Sequence, residues 1–270
     1  MARILGYFAS QVDRLRCVCA AEDGARLERD ARHGFGVGSH QGREVLLRRW
    51  PTGLAHPLDL AEVAGDLRSG SVLAQVRRAT VGGRLPENTQ PFRFRQWMFA
   101  ALGTLPGGAD GRARLASTMP SFLSDTLRGE TDSEALFHHL LGALFRAGAL
   151  DAEGLERSAL RDHLAAGLAS LDDLLGARAP LALLLSDGAG CVGFARSTPM
   201  RWLRRVGIAR CPVCSGTAQP VAHETLRYAL LADGEPSMPG WRPWGGHDDG
   251  AFVTVDRGFE VREARWSDLR

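Results

Sequence analysis

Two leucine-periodic segments, one opening near residue 131 and one spanning 160–176, stand between two blocks of short apolar runs. This order limits the fold more than any other feature of the chain. In the first, Leu136, Phe137, Leu140, Leu141, Leu144 and Phe145 recur at helical spacing, and Gly148 suits the position just past a helix end. Thr131 and Glu134 match the capping-box pattern, in which each side chain bonds the other residue's backbone N–H. In the second, Leu160, Leu164, Leu168, Leu171 and Leu175 mark one face, closed by Gly176. Short runs at 3–8, 71–77 and 97–101 precede the pair and read as buried strands. Runs near 180–186, 190–196, 201–208, 225–232 and 251–255 follow it. Strands, then helices, then strands, without regular βαβ alternation, predict antiparallel sheet with helices stacked on it.

Smaller signals fill in the rest. Residues 33–38, Gln41-Gly42 and 44–47 read as a hairpin, and 57–67 as an amphipathic helix carrying Leu58, Leu60, Val63 and Leu67 on one face. Ser186-Asp187-Gly188 is a turn; Gly107-Gly108 and the Pro/Gly-rich 234–250 are loops. With no internal repeat or low-complexity linker, residues 1–270 are expected to form one domain.

The charge balance, 33 basic against 31 acidic residues, gives +2 and argues neither for nucleic acid nor for an anionic membrane surface. Every basic residue other than histidine is arginine, and the pairs Arg48-Arg49, Arg77-Arg78 and Arg204-Arg205 read as too dispersed for a basic stripe. The longest apolar runs fall far short of the roughly 20 residues that span a bilayer. Five cysteines argue against a disulfide framework. The expectation is a cytoplasmic, reduced protein without a cofactor.

The opening Met1-Ala2-Arg3-Ile4-Leu5-Gly6-Tyr7 resembles the start of a class II glutamine amidotransferase. So do Gly34-Phe35-Gly36, 76–80, Glu87-Asn88-Thr89-Gln90-Pro91-Phe92, Gly103, Thr131-Asp132-Ser133-Glu134, 184–188 and Trp241-Arg242-Pro243. None is specific alone; their order and spacing over roughly 240 residues are. The resemblance is closest to the compact bacterial type, and it implies an N-terminal-nucleophile αββα sandwich with a ligand pocket near residue 2.

The resemblance also implies four chemical parts. The first is a cysteine at position 2, activated by its own α-amine; alanine stands there. The second is an oxyanion hole built from an asparagine amide and the next backbone N–H, in a His-Asn-Gly stretch that reads Ala101-Leu102-Gly103 here. Gly103 keeps its N–H, whereas Leu102 has no side-chain donor. The third is an arginine gripping the glutamine α-carboxylate, which falls on Arg77, although the family's preceding histidine is Gln75. The fourth is an acid for the α-ammonium, which falls on Asp132; Thr80 is a further substrate-binding position that the resemblance implies. The histidine expected before Pro91 is Gln90.

Structural readings compete at each survivor. Asp132 opens a helix, where a carboxylate is favourable without any ligand. A buried Arg77 needs a partner, and Asp132 could be it. Gly34, Gly36 and Gly103 fit sites of close backbone approach, and 87–91 a loop ordering the pocket wall. Leu102, Ala101, Gln75 and Gln90 argue against Ala2 being a lone engineered replacement. The leading expectation is therefore a glutaminase-inactive relative that binds an amino-acid or γ-glutamyl ligand, or serves a protein partner as scaffold or regulator. The rival is an active glutamine amidotransferase or γ-glutamyl amidohydrolase with an engineered Ala2 or another nucleophile.

Cys211-Pro212-Val213-Cys214, followed by His223, is the one metal-like pattern, and half a zinc site by itself. A zinc-stabilised interaction module is the third reading. Cys17-Val18-Cys19 could complete the site, but its alternation with Leu15 reads as one buried strand face. Cys191 reads as core, His138-His139 as packed histidines, and Trp241 and Trp244 as loop anchors.

Overall fold

The computed structural model describes residues 2–22, 33–52, 60–214, 223–235 and 239–269, apart from the side chains at 61, 62 and 64. Thirteen strands among these form two sheets. The seven-stranded sheet contains β1 (Arg3–Ala9), β2 (Phe35–Gln41), β3 (Glu44–Trp50), β4 (Ser71–Val76), β9 (Pro199–Val206), β10 (Arg227–Asp233) and β11 (Arg242–Gly245), in the order β11-β9-β10-β1-β4-β2-β3. The six-stranded sheet contains β5 (Phe92–Phe94), β6 (Trp97–Gly103), β7 (Leu181–Ser186), β8 (Cys191–Arg196), β12 (Ala251–Val255) and β13 (Val261–Arg265), in the order β13-β12-β8-β7-β6-β5. Every pairing is antiparallel.

Strand periodicity divides the core into three layers. On β1, Ile4 and Phe8 point between the sheets with Leu73, Met98, Ala100, Ala182 and Leu184. Leu5, Tyr7 and Ala9 point the other way, into an outer core shared with α1 (Leu15–Ala21) and Leu60 of α2 (Leu60–Val63). On the far side of the six-stranded sheet lie α3 (Gly108–Ser117), α4 (Ser121–Ser124), α5 (Asp132–Arg146) and α6 (Arg157–Leu175), whose leucines pack on Phe99, Leu183 and Phe252. The result is the expected α+β sandwich: helix, sheet, sheet, helix. Strands buried on both faces explain why the sequence shows continuous apolar runs rather than alternation.

The helix pair is as its pattern predicts, with one correction. Thr131 caps α5, its side chain accepting from the Glu134 N–H at 3.3 Å. The reciprocal half of the capping box is absent, because Glu134 instead accepts from the N–H groups of Arg128 (2.9 Å) and Gly129 (2.7 Å). The helix start is thereby tied to the preceding loop. Gly148 and Gly176 both adopt the left-handed conformation expected after a helix end.

Other local expectations are corrected. Residues 15–21 form a helix, not a strand: Leu15, Val18 and Cys19 fit one helical face as well as Leu15, Cys17 and Cys19 fit a strand face, and so short a run carries both periods. The helix expected over 57–67 is α only at Leu60–Val63 and 3-10 at Ala64–Asp66; residues 57–59, with Leu58, lie outside the described residues. Gly107 is the N-cap of α3 and Gly108 its first residue. The segment 234–250 contributes β11, whose Trp244, like Trp241 before it, is buried. Cys191 is fully buried in β8.

Three buried histidines give the fold a pH dependence. His40, His138 and His139 each place a ring nitrogen on a backbone carbonyl, of Gln96, Glu134 and Gly167 respectively, at 2.9–3.0 Å. Burial nevertheless pushes all three below their ordinary value, outweighing those bonds. The unfolded chain, titrating near 6.5, therefore takes up protons that the folded chain refuses. Stability should fall as pH drops below about 6.5, by at most about 1.4 kcal/mol per pH unit for each histidine. Urea unfolding at about pH 7.5 and 5.5 checks this; equal stability at the two would contradict it.

Candidate functional site

Strand register gathers the residues singled out above at one end of the sandwich. Ser71 Oγ lies 3.1 Å from Ser186 Oγ, and Ser186 is the cross-strand partner of Met98, so β4 and β6 start at the same end. Their opposite ends therefore also coincide, bringing Gln75 and Arg77 towards Leu102 and Gly103. Arg3 pairs with Val76, which places the start of β1 there too. Ala2, two residues before Ile4, and Arg77, two after Gln75, follow the inter-sheet face of their strands.

At this end the apolar Ile4 and Leu102 share the layer between the sheets. Leu102 is half-buried and packs against the inter-sheet core, and its side chain offers no amide donor beside Gly103. Gly103 itself has φ +123°, and a Cβ there would lie 2.5 Å from the Pro180 carbonyl oxygen; only glycine fits. Ala101 faces the helices rather than the pocket. Its N–H donates to Gln90 Oε1 at 2.6 Å, so Gln90 buttresses β6. Gln75 is buried, and its Oε1 has no hydrogen-bond partner among the described residues.

Arg77 and Asp132 are not joined to each other among the described residues. The Arg77 guanidinium donates to the carbonyls of Val81 (2.7 Å), Gly82 (3.2 Å) and Gly83 (2.9 Å). Burial, with Arg84 nearby, lowers its pKa from the ordinary arginine value. Asn88 reinforces the same loop, donating to Gly83 O at 3.1 Å and accepting from the Glu130 N–H at 2.8 Å. The stretch 87–91 thus orders a wall, as its composition suggests.

Asp132, nearly buried at the first turn of α5, accepts from the N–H groups of Leu105 (2.6 Å) and Ser133 (2.9 Å). It borders a cavity of about 310 Å³ lined also by Gly82, Thr104, Leu105, Arg112 and Glu130. Arg112 Nε is buried without a hydrogen-bond partner among the described residues. Thr80 is exposed, its hydroxyl 3.4 Å from that of Thr104. The cavity is therefore lined by one guanidinium and two carboxylates, and its wall includes Thr104, the residue after Gly103.

Sequence reasoning missed Arg112 and Glu130, which are 18 residues apart in the chain and line one cavity only through the fold. It also missed a larger open cleft of about 1110 Å³, where Arg43, Arg49, Arg93, Arg95 and Arg128 gather with Glu44, Glu87 and Glu134. Arginines dispersed along the chain are brought together there. Most are already engaged: Arg49 with Pro91 O, Arg93 with Val45 O, Arg95 with Asp151 and Arg43 with Glu153. Cys211 lies elsewhere, in the outer core of the seven-stranded sheet, with Cys214 packed against it. No helix among the described residues is long and apolar enough to cross a membrane.

A sandwich of this kind, with strand ends converging on residue 2, is the architecture of N-terminal-nucleophile amidotransferases, and the comparisons with known proteins agree. The family model for class II glutamine amidotransferases matches residues 10–211. The chain belongs to that family. Among solved structures it is similar to a class II glutamine amidotransferase domain protein from Silicibacter pomeroyi, with 20% identity and a TM-score of 0.58 over 98% of this chain and 99% of that one. It is similar too to a predicted glutamine amidotransferase from Pseudomonas aeruginosa, with 22% identity and a TM-score of 0.57 over 96% and 94% of the two chains. The glutamine phosphoribosylpyrophosphate amidotransferase of B. subtilis shares the fold at 13% identity and a TM-score of 0.54; the match spans 98% of this chain and 49% of that enzyme. No curated protein matches the sequence.

Proposed function

We propose that this chain is a member of the class II glutamine amidotransferase family that no longer hydrolyses glutamine and acts by binding an amino-acid or γ-glutamyl ligand. The observation that carries the reading is the half-buried Leu102 packed against the inter-sheet core beside Gly103, at the same end as Ala2. One position lacks the nucleophile and the other the oxyanion donor, and a single such donor is typically worth about 10²–10³ in rate. A thioester cannot form on a methyl group.

The ligand half rests on the cavity at Asp132. A free amino acid presents one ammonium and one carboxylate, and Arg112 with Asp132 and Glu130 supplies opposite charges for both. Arg77 then works indirectly, holding the Val81, Gly82 and Gly83 carbonyls that shape the wall.

Ammonia release from glutamine by the unmodified chain is expected to stay at background, and clear release would favour the active-enzyme rival. Titration calorimetry with glutamine and glutamate is expected to show binding. No heat at millimolar concentration would remove the ligand and leave a scaffold or regulatory role towards a protein partner. Pairing Ala2→Cys with Leu102→Asn is expected to restore detectable glutaminase activity, neither change sufficing alone. A silent double variant that still binds glutamine would place further losses elsewhere in the pocket.

A further inference from the structure

We propose that Cys17, Cys211, Cys214 and His223 bind one structural zinc ion on the outer face of the seven-stranded sheet. The four side chains come from three places in the chain: helix α1, the turn after β9 and the residues leading into β10. Their ligand atoms all lie within 4.8 Å of one another. The Cys17 and Cys214 sulfurs are 4.0 Å apart. Two thiolates on a tetrahedral zinc, with bonds of about 2.3 Å, sit about 3.8 Å from each other, whereas a disulfide would need about 2.05 Å. None of the five cysteines is in a disulfide.

His223 is the second, independent pointer. It is fully buried, yet neither ring nitrogen has a hydrogen-bond partner among the described residues. Buried polar atoms are almost always bonded, so an imidazole with no bonded nitrogen, one of them within 4.8 Å of three sulfurs, calls for something electrophilic between them. The backbone already holds the frame. Cys214 N–H donates to Cys211 O at 3.3 Å, and Ile208 N–H donates to His223 O at 3.0 Å, which fixes both ends of the β9–β10 connection. Backbone N–H groups of Cys214 and Val213 also hydrogen-bond the Cys211 thiol.

Three thiolates and one imidazole form a soft, tetrahedral donor set that suits zinc, and four protein ligands leave no open position for water or substrate. The site is therefore structural. Position in the fold agrees: Cys17 follows the far end of β1, a seven-residue strand roughly 23 Å long, from the Ala2 end. The outer layer here is thin, with α1 of seven residues and α2 of four, both far below the length at which a helix is stable by itself. A metal joining α1 to the β9–β10 connection would fasten that layer over Leu5, Tyr7 and Tyr228.

The test is elemental analysis of the full chain, produced in zinc-supplemented medium and purified under reducing conditions. One zinc per chain is expected. Cys211→Ser/Cys214→Ser should lose it to background, and Cys19→Ser, whose thiol is outside the cluster, should keep it. Because the double variant can misfold, the unmodified chain is also stripped with chelator and titrated with Co²⁺. Intense visible bands of tetrahedral, thiolate-bound cobalt, saturating at one equivalent and displaced by zinc, are expected. Metal at background together with no cobalt bands would overturn the proposal. So would a Cys17–Cys214 disulfide in the native protein, iron with sulfide in place of zinc, or equal metal loss in Cys19→Ser.

Discussion

Asp187→Ala is expected to destabilise the folded chain by about 3–5 kcal/mol, the cost of leaving a buried arginine without its counter-charge. Asp187 takes both arms of the Arg157 guanidinium, at 2.9 and 2.6 Å, and both side chains are about nine-tenths buried. Its Oδ1 also accepts from Ala189 N–H at 3.0 Å, which fixes the turn between β7 and β8. The bond from Arg157 to Leu155 O, at 2.7 Å, survives the change but brings no negative charge. Most of the cost is that of the orphaned cation, so Arg157→Met added to Asp187→Ala should recover a large part of it. Urea unfolding of the two single variants and the pair gives the coupling directly. A loss below about 1 kcal/mol for Asp187→Ala would mean that water replaces the carboxylate, as at exposed pairs.

Gly36→Ala should be the most damaging methyl group that can be added to the seven-stranded sheet near the site. A Cβ on Gly36 would lie 2.0 Å from Gln90 O and 3.0 Å from Gln90 C. Those atoms are backbone, so no rotamer relieves the clash, and either β2 or the 86–91 stretch must move. Gln90 in turn holds Ala101 N–H on β6, so the displacement reaches the strand that carries Leu102 and Gly103. Overpacking of this kind costs typically about 1–3 kcal/mol, and the upper end is expected here. Gly38→Ala is the control. Its Cβ would meet Met98 Sδ at 2.4 Å, a similar overlap, but with a flexible side-chain atom. Thermal unfolding should rank Gly36→Ala well below Gly38→Ala; equal midpoints would show that the 86–91 stretch yields freely.

What the sequence disclosed follows from the range of each interaction. Helices α5 and α6 were legible because periodicity, cap and closing glycine lie within one local stretch. The buried strands were legible as apolar runs bounded by turns. Strands β5 and β13 were missed because edge strands such as Val261–Arg265 carry charged residues and little apolar signal. Strand β11 was hidden by Pro243, which an edge strand tolerates. At the site, the positions of Ala2, Leu102, Gly103, Arg77 and Asp132 came from ordered motifs. The bonds that Arg77 makes with the 81–83 carbonyls did not, and neither did the cavity that Arg112 and Glu130 share. Cys211 and Cys214 advertised themselves by spacing, with Cys17-Val18-Cys19 as a possible complement; which of Cys17 and Cys19 lies beside them was not legible, because a seven-residue run could be read with either period.

Leu102 has one more consequence. An asparagine there would place an amide against an apolar layer, and such groups are tolerated at reacting centres because chemistry requires them. The leucine relaxes that compromise, so under the proposed reading the loss of the oxyanion donor leaves the chain sturdier than before. Decay of this sort works as a ratchet. A return to activity would have to include Leu102→Asn, a step that gives up durability and brings no turnover until Ala2→Cys restores the nucleophile.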